Sequence, residues 1–158
     1  MNRKKALFLD RDGVINHDPG DYTMSLEEFV ILPTVREAIA LAVSRQYLPI
    51  VITNQGGIAK GLYTHAEVHR MHDYLKSEIP GIAGIFYSPH HPDFGNSLTR
   101  KPESLLIERA IHRFNIDPSA SVMIGDRDRD VECARRAGVP GMLIPTNSSL
   151  LEHVQVLV

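Results

Sequence analysis

The chain has 158 residues, with 17 Lys+Arg against 19 Asp+Glu and a formal net charge of −2. A chain of this length buries about 68–70 % of its unfolded surface and needs no staples. Its single cysteine, Cys133, excludes a disulfide framework and any multi-cysteine metal site, and the near-neutral balance argues against a broad nucleic-acid surface. No apolar run approaches the ~18–20 residues of a membrane span, and Ala6–Leu9 is too short for a signal-peptide core. The expectation is one cytoplasmic domain over residues 1–158, a monomer with no nucleic-acid or membrane partner.

Short apolar runs punctuate the chain at Ala6–Leu9, Ile50–Ile52, Gly84–Tyr87, Val122–Ile124 and Met142–Ile144. Continuous rather than alternating runs suit strands buried on both faces. Helical periods lie between them. Val35, Ala38, Ile39, Ala42 and Val43 form one apolar stripe, and Ile107, Ala110, Ile111 and Phe114 another. Thr64 and Glu67 read as a capping box ahead of Val68, Met71 and Leu75. Pro102 suits the first turn of the helix after it. Gly138 is placed to end a helix carrying Val131, Ala134 and Ala137. The alternation predicts a three-layer, Rossmann-like α/β domain on a mostly parallel sheet of about five strands. The apolar tail from Ser148 to Val158 is expected to pack on the core or on a second subunit.

Ligands of such sheets bind beyond the carboxyl ends of the strands. Four polar groups follow predicted strands: Asp10-Arg11-Asp12, Thr53-Asn54-Gln55, Arg100-Lys101, and Asp126 with Asp130. Carboxylates gathered in one crevice repel, and a hard divalent cation removes the conflict. One lysine and small donors beside such an ion suit a phosphoryl group. A carboxylate is also able to attack phosphorus, with a second carboxyl as acid and base. Gly13 permits a sharp turn after the acidic pair, and Gly56-Gly57 offer backbone N–H donors. His65, His69 and His72 share a helical face with metal-ligand spacing but lack the partner glutamate of a zinc-protease motif, so a solvated face is expected. Asp126, on the residues alone, is also a candidate helix N-cap, and Arg11 is expected to turn away from the metal.

Asp10-Arg11-Asp12-Gly13-Val14-Ile15-Asn16, Thr53-Asn54-Gln55, Arg100-Lys101-Pro102 and Gly125-Asp126-x-x-x-Asp130 together resemble the four signatures of the haloacid dehalogenase-like phosphatases. The first motif, with Asp18 to Tyr22, is similar to the capless branch of heptose-bisphosphate and histidinol-phosphate phosphatases. The resemblance implies a magnesium-dependent phosphomonoesterase with a phosphoaspartate. Heptose 1,7-bisphosphate is the favoured substrate, histidinol phosphate or another small sugar phosphate the alternative, and a phosphosugar-binding protein without turnover the non-enzymatic reading. It implies Asp10 as nucleophile and metal ligand. Asp12 becomes acid/base with its carbonyl on the metal, and Thr53 and Lys101 hold phosphoryl oxygens. Asp126 is the third ligand, and Asp130 either ligates through water or orients Lys101. Asp18, Asp21, Tyr22, Asn54, Gln55, Arg100 and Arg127 contact the rest of the substrate. No insertion is long enough to form a cap domain.

One departure from the family stands out. Its zinc loop, Cys-x-His followed by Cys-x-Cys-Arg-Lys-Pro, is matched here by Ser88-Pro89-His90 and Ser97-Leu98-Thr99-Arg100-Lys101-Pro102. Neutral hydroxyls are poor substitutes for thiolates at zinc. The loop is therefore expected to bind no zinc and to hold its shape by hydrogen bonds.

Overall fold

The computed structural model describes residues 2–158. Its five strands are β1 (Lys5–Leu9), β2 (Tyr47–Asn54), β3 (Gly84–Ser88), β4 (Val122–Gly125) and β5 (Gly141–Leu143). The helices are α1 (Val35–Ser44), α2 (His65–Glu78), α3 (Leu105–Phe114), α4 (Asp128–Arg136) and α5 (Leu150–Val154). The strands form one parallel sheet in the order β3-β2-β1-β4-β5. Each apolar run read from the sequence lies on a strand, except that Ile144 falls one residue past β5.

Alternation along these strands feeds two cores. Leu7, Leu9, Val51, Val122 and Ile124 face α1, α2 and α5. Ala6, Phe8, Ile50, Ile52 and Met123 face α3 and α4. Both faces of the central strands β1, β2 and β4 are covered, so polar residues have no place in their middles and chemistry is confined to their ends. β3 is partly buried, and β5 is an exposed edge, where the expected burial on both faces fails for lack of a covering neighbour. Burying one such side chain contributes about 1.5–3 kcal/mol. The tail packs on the chain's own core: Leu150 and Val154 are fully buried beside α1. Arg45 donates to the carbonyls of Val154, Gln155 and Leu157 there.

The helix boundaries follow local chemistry. Thr64 Oγ1 accepts from Glu67 N and the Glu67 carboxylate accepts from Thr64 N, so the capping box forms. α4 ends in a Schellman turn, with Gly138 at φ 77°, Val139 N donating to Ala134 O, and Gly138 N to Arg135 O. Pro102 is a correction. It lies in the turn before α3, after a cis Lys101–Pro102 bond, and α3 starts at Leu105 behind Ser104. Local hydrogen bonding explains the difference, since Glu103 N donates to Arg100 O and closes a turn there. The N-cap of α4 is Arg127 rather than Asp126.

From β1 the chain builds outward to β2 and β3, then crosses to β4 and β5 on the other side. The strand order therefore switches between β1 and β4, where a crevice opens at the carboxyl ends. Asp10 N donates to Ile124 O at 3.1 Å, which carries the ladder to the edge of that crevice. No helix among the described residues is long and apolar enough to cross a membrane.

Candidate active site

Asp10 follows β1 directly, and its Oδ1 accepts from Lys101 Nζ at 2.8 Å. The same ammonium lies 2.6 Å from Asp130 Oδ1 and donates to Ile52 O at 2.8 Å. All three charged groups are buried. Burial raises the Asp10 carboxyl well above its ordinary range; Lys101 opposes that and Asp130 adds to it. Burial works against the Lys101 ammonium, but Asp10 and Asp130 outweigh it and leave the pKa raised. The lysine is thus a permanent cation between two acids. Asn54 fixes the lysine's backbone: Asn54 Nδ2 donates to Lys101 O and Asn54 Oδ1 accepts from Lys101 N.

Asp12 sits two residues on, within a tight turn in which Arg11 O accepts from Val14, Ile15 and Asn16 N–H groups. Gly13 takes φ 86°, a left-handed conformation that side chains resist. Asp12 Oδ1 accepts from Arg11 Nη2 at 2.8 Å and Asn16 Nδ2 at 3.0 Å, and Oδ2 from Gln55 Nε2 at 2.9 Å. Burial penalises its charge, yet Arg11 and these hydrogen bonds win and hold the carboxyl below its ordinary range. Gln55 also donates to Thr53 Oγ1 and accepts from Tyr63 OH. The sequence places Asn54 and Gln55 among the substrate contacts. In the structure both side chains are engaged inside the site, one holding Lys101 and the other Asp12 and Thr53.

The third acid arrives from β4. Asp126 Oδ2 accepts from Thr146 Oγ1 at 2.8 Å, while Oδ1 is buried with no hydrogen-bond partner. Asp130, in the first turn of α4, accepts from Arg127 N with Oδ2 and is wholly buried. Carboxylate oxygens of Asp10, Asp126 and Asp130 all lie within 4.8 Å of one another. Three acids against one lysine leave excess buried negative charge, and one Asp126 oxygen is buried without a partner. A hard divalent cation with oxygen ligands fits both facts.

Beside the acids lies a cleft of about 290 Å³ lined in part by Asp12, Asp18, Asp21, Tyr22, Asn54 and Arg127. Arg127 Nη2 donates to Asp18 Oδ2 at 3.4 Å across its mouth. Asp18 is held from behind by Asn147, through hydrogen bonds to its N–H and carbonyl. Asp21 and Tyr22 follow on the same loop, with Tyr22 tilted against Tyr63 at 6.2 Å. Arg100 donates to His90 O at 2.9 Å. A Cβ on Gly56 would lie 2.8 Å from the Arg100 guanidinium, so that arginine occupies the space of any side chain at 56.

The loop from 88 to 100 is tied by hydroxyls. Thr99 Oγ1 lies 2.8 Å from both Ser88 Oγ and Ser97 Oγ, and Thr99 N donates to Ser97 Oγ. These are the positions where the family pattern carries cysteines.

Arg11 is fully buried, and its partners Asn16, Asp12 and His72 lie outside the Asp10–Asp126–Asp130 cluster. One sequence expectation needs correction. The histidine face is not simply solvated. His65 Nδ1 and His69 Nε2 both bond Tyr87 OH, and His72 is buried with Nε2 3.2 Å from Arg11 Nη1. Tyr63, Asn16, Thr146, Asn147 and His72 all support the site, and the sequence reading assigned none of them to it. Asn16 was visible in the first motif; the others are brought in by packing alone.

Fold and site together define a haloacid dehalogenase-like phosphatase, and the chain belongs to that family. A family model described as HAD-hydrolase-like matches residues 98–156. The D-glycero-D-manno-heptose-1,7-bisphosphate 7-phosphatase of Chlorobaculum tepidum is 38 % identical, over 99 % of this chain and 87 % of its own. The D-glycero-alpha-D-manno-heptose-1,7-bisphosphate 7-phosphatase of Burkholderia mallei is 39 % identical, over 90 % of this chain and 80 % of its own. The D,D-heptose 1,7-bisphosphate phosphatase of Bordetella bronchiseptica, solved with magnesium and phosphate, superposes with a TM-score of 0.84 at 31 % identity. That match covers 96 % of this chain and 86 % of the other.

Proposed function

We propose that the chain hydrolyses the 7-phosphate of D-glycero-D-manno-heptose 1,7-bisphosphate through a phosphoaspartate on Asp10. The observation that carries this is the buried Asp10–Lys101–Asp130 group beside the orphaned Asp126 oxygen. It supplies a nucleophile, a fixed cation for a phosphoryl oxygen, and a cation site. The relatives' shared substrate supports the sugar. Magnesium, held by Asp10 and Asp126 with the Asp12 carbonyl, would neutralise charge on the phosphoryl oxygens when bound. Asp130 orients Lys101.

Asp10 attacks phosphorus, the P–O bond to the sugar breaks, and the departing oxygen takes a proton from Asp12. Asp12 then takes a proton from water, which attacks the same phosphorus; the Asp10–phosphorus bond breaks and phosphate leaves. The substrate-free site favours ionised Asp12, the base form. A phosphate dianion arriving beside it raises the carboxyl again, toward the form that donates. Thr53 and Lys101 bind the transferring group. Asp18, Asp21, Tyr22 and Arg127 border the cleft that would take the sugar and the second phosphate, whereas Arg100 lines the neighbouring cavity along the 92–103 loop. The hydroxyl-tied loop carries out without zinc what the family's thiolates do with it. The tail spent on the chain's own core supports a monomer.

The test is phosphate release from both anomers of the heptose bisphosphate, histidinol phosphate and fructose 1,6-bisphosphate, with magnesium and with EDTA. Both anomers are needed because relatives named for the alpha and for the beta anomer match at 39 % and 35 % identity. Magnesium-dependent release with a strong heptose preference is expected, and Asp10→Asn is expected to lower it at least ~10³-fold with the fold intact. Preference for another ester would overturn the substrate, and full activity of Asp10→Asn the mechanism.

A further inference from the structure

Arg11 is a fully buried guanidinium, and each of its nitrogens has a partner. Nε donates to Asn16 Oδ1 at 3.1 Å, Nη2 to Asp12 Oδ1 at 2.8 Å, and Nη1 faces His72 Nε2 at 3.2 Å. The Phe29 ring covers it at 5.3 Å from the guanidinium carbon. Arginine has no acceptor, so His72 must accept here and carry its proton on Nδ1. Burial and the adjacent Arg11 charge keep His72 neutral, with its pKa lowered to about 3.

His72 is itself held from the next element. The Tyr87 ring of β3 meets it edge-on, with centroids 5.6 Å apart at 70°. Tyr87 OH is tied in turn to His69 and His65, one and two turns earlier on α2. The polar side of α2 therefore ends on a buried guanidinium. That guanidinium touches the carboxylate to which the mechanism gives proton transfer.

We propose that His72 is a positioning residue for Asp12: its acceptor nitrogen fixes the Arg11 guanidinium, which fixes the carboxylate. The inference rests on the phosphatase reading of Asp12. Without the acceptor, Nη1 is a buried donor with no partner, and such a group moves to find one. Rotation of the guanidinium withdraws Nη2 from Asp12 Oδ1. Small misplacements of a proton-transfer group have large effects on rate and little on binding.

The experiment compares His72→Leu and His72→Gln with wild type in steady-state kinetics with magnesium and heptose 1,7-bisphosphate. Thermal denaturation and ¹⁵N spectra of the arginine Nε–H groups accompany the kinetics. The leucine variant is expected to lose roughly tenfold to a hundredfold in kcat with KM changed less than about twofold. Its Arg11 Nε–H signal is expected to lose protection from solvent exchange. Glutamine restores an acceptor and is expected to recover most of the kcat and the protection, although both variants lose the ring. Equal losses in both variants, a loss confined to KM, or a protected Arg11 signal in the leucine variant would overturn the proposal. If wild type releases no phosphate from any ester, the phosphatase reading has failed. The Arg11 signal then decides by itself whether His72 holds the guanidinium.

Discussion

Replacing Lys101 by methionine removes a cation that is 2 % exposed while keeping the length and most of the bulk of the side chain. At its 2.8 Å separation from Asp10, and an effective dielectric of 20, the attraction is about 6 kcal/mol. Asp130 contributes a comparable attraction from 2.6 Å. Burying the ammonium offsets most of this, and removing one partner of a buried ion pair typically costs about 3–5 kcal/mol. Asp10, whose carboxyl burial already raises, takes up a proton in the variant and limits the loss to the lower half of that range. A chain of this size loses about 2–4 °C of Tm per kcal/mol, so a fall of roughly 6–16 °C is expected in EDTA. Magnesium becomes the one cation left to neutralise the acids, so it should stabilise the variant more than it stabilises wild type. Scanning calorimetry of both proteins in EDTA and in saturating magnesium reads both effects. A fall of under about 1 kcal/mol in EDTA would refute the buried triad. An equal magnesium gain in the two proteins would refute the shared cluster.

The pH dependence of stability carries the signature of His72. Its native pKa of about 3 lies below the ordinary 6.5, so between these values the unfolded chain binds the extra proton. Stability therefore falls as pH drops through that window, by about 2 kcal/mol from pH 7 to pH 5. Denaturant unfolding of wild type and His72→Gln at both pH values should differ by that amount, and parallel losses would count against a buried neutral imidazole. Gly13→Ala should weaken magnesium binding as well as folding. The residue sits at φ 86°, and its Cβ would fall well inside contact distance of Asp126 Oδ2. Strain of this kind costs about 1–3 kcal/mol. An unchanged magnesium titration would argue against Asp126 as ligand. Elemental analysis of purified protein should find no stoichiometric zinc. Thr99→Val, which strips partners from Ser88 and Ser97, should cost about 1–3 kcal/mol in denaturant unfolding. Stoichiometric zinc, or an unperturbed variant, would refute the hydroxyl tie.

What could be read from the residues was what has a local cause. Five continuous apolar runs marked the strands, and burial on two faces holds for the central β1, β2 and β4 but not for β5, an edge strand with Leu143 exposed. Thr64 with Glu67, and Gly138 after Ala137, marked helix ends through hydrogen bonds made within a few residues. The acids Asp10, Asp12, Asp126 and Asp130 were legible because each follows a strand or opens the next helix, where a parallel sheet has to place its chemistry. Pro102 was misplaced because its expected position rested on helix preference, while the bond from Glu103 N to Arg100 O closes a turn first.

Only tertiary structure decided the partners. Thr146 reaches Asp126 across 20 residues, and Lys101 reaches Asp10 across 91. Asn54 grips the lysine's backbone from 47 residues away. No local pattern encodes such pairs. They arise because strand order sets which carboxyl ends are neighbours, and strand order follows from how the whole apolar surface is buried. The same holds for His72, whose helical spacing with His65 and His69 reads as a solvated stripe. Packing of α2 against the turn after β1 buries the last of the three on Arg11. The sequence thus determined the kinds of groups this protein brings to a phosphate. The sheet decided which of them touch, because distances between segments remote along the chain are set by packing.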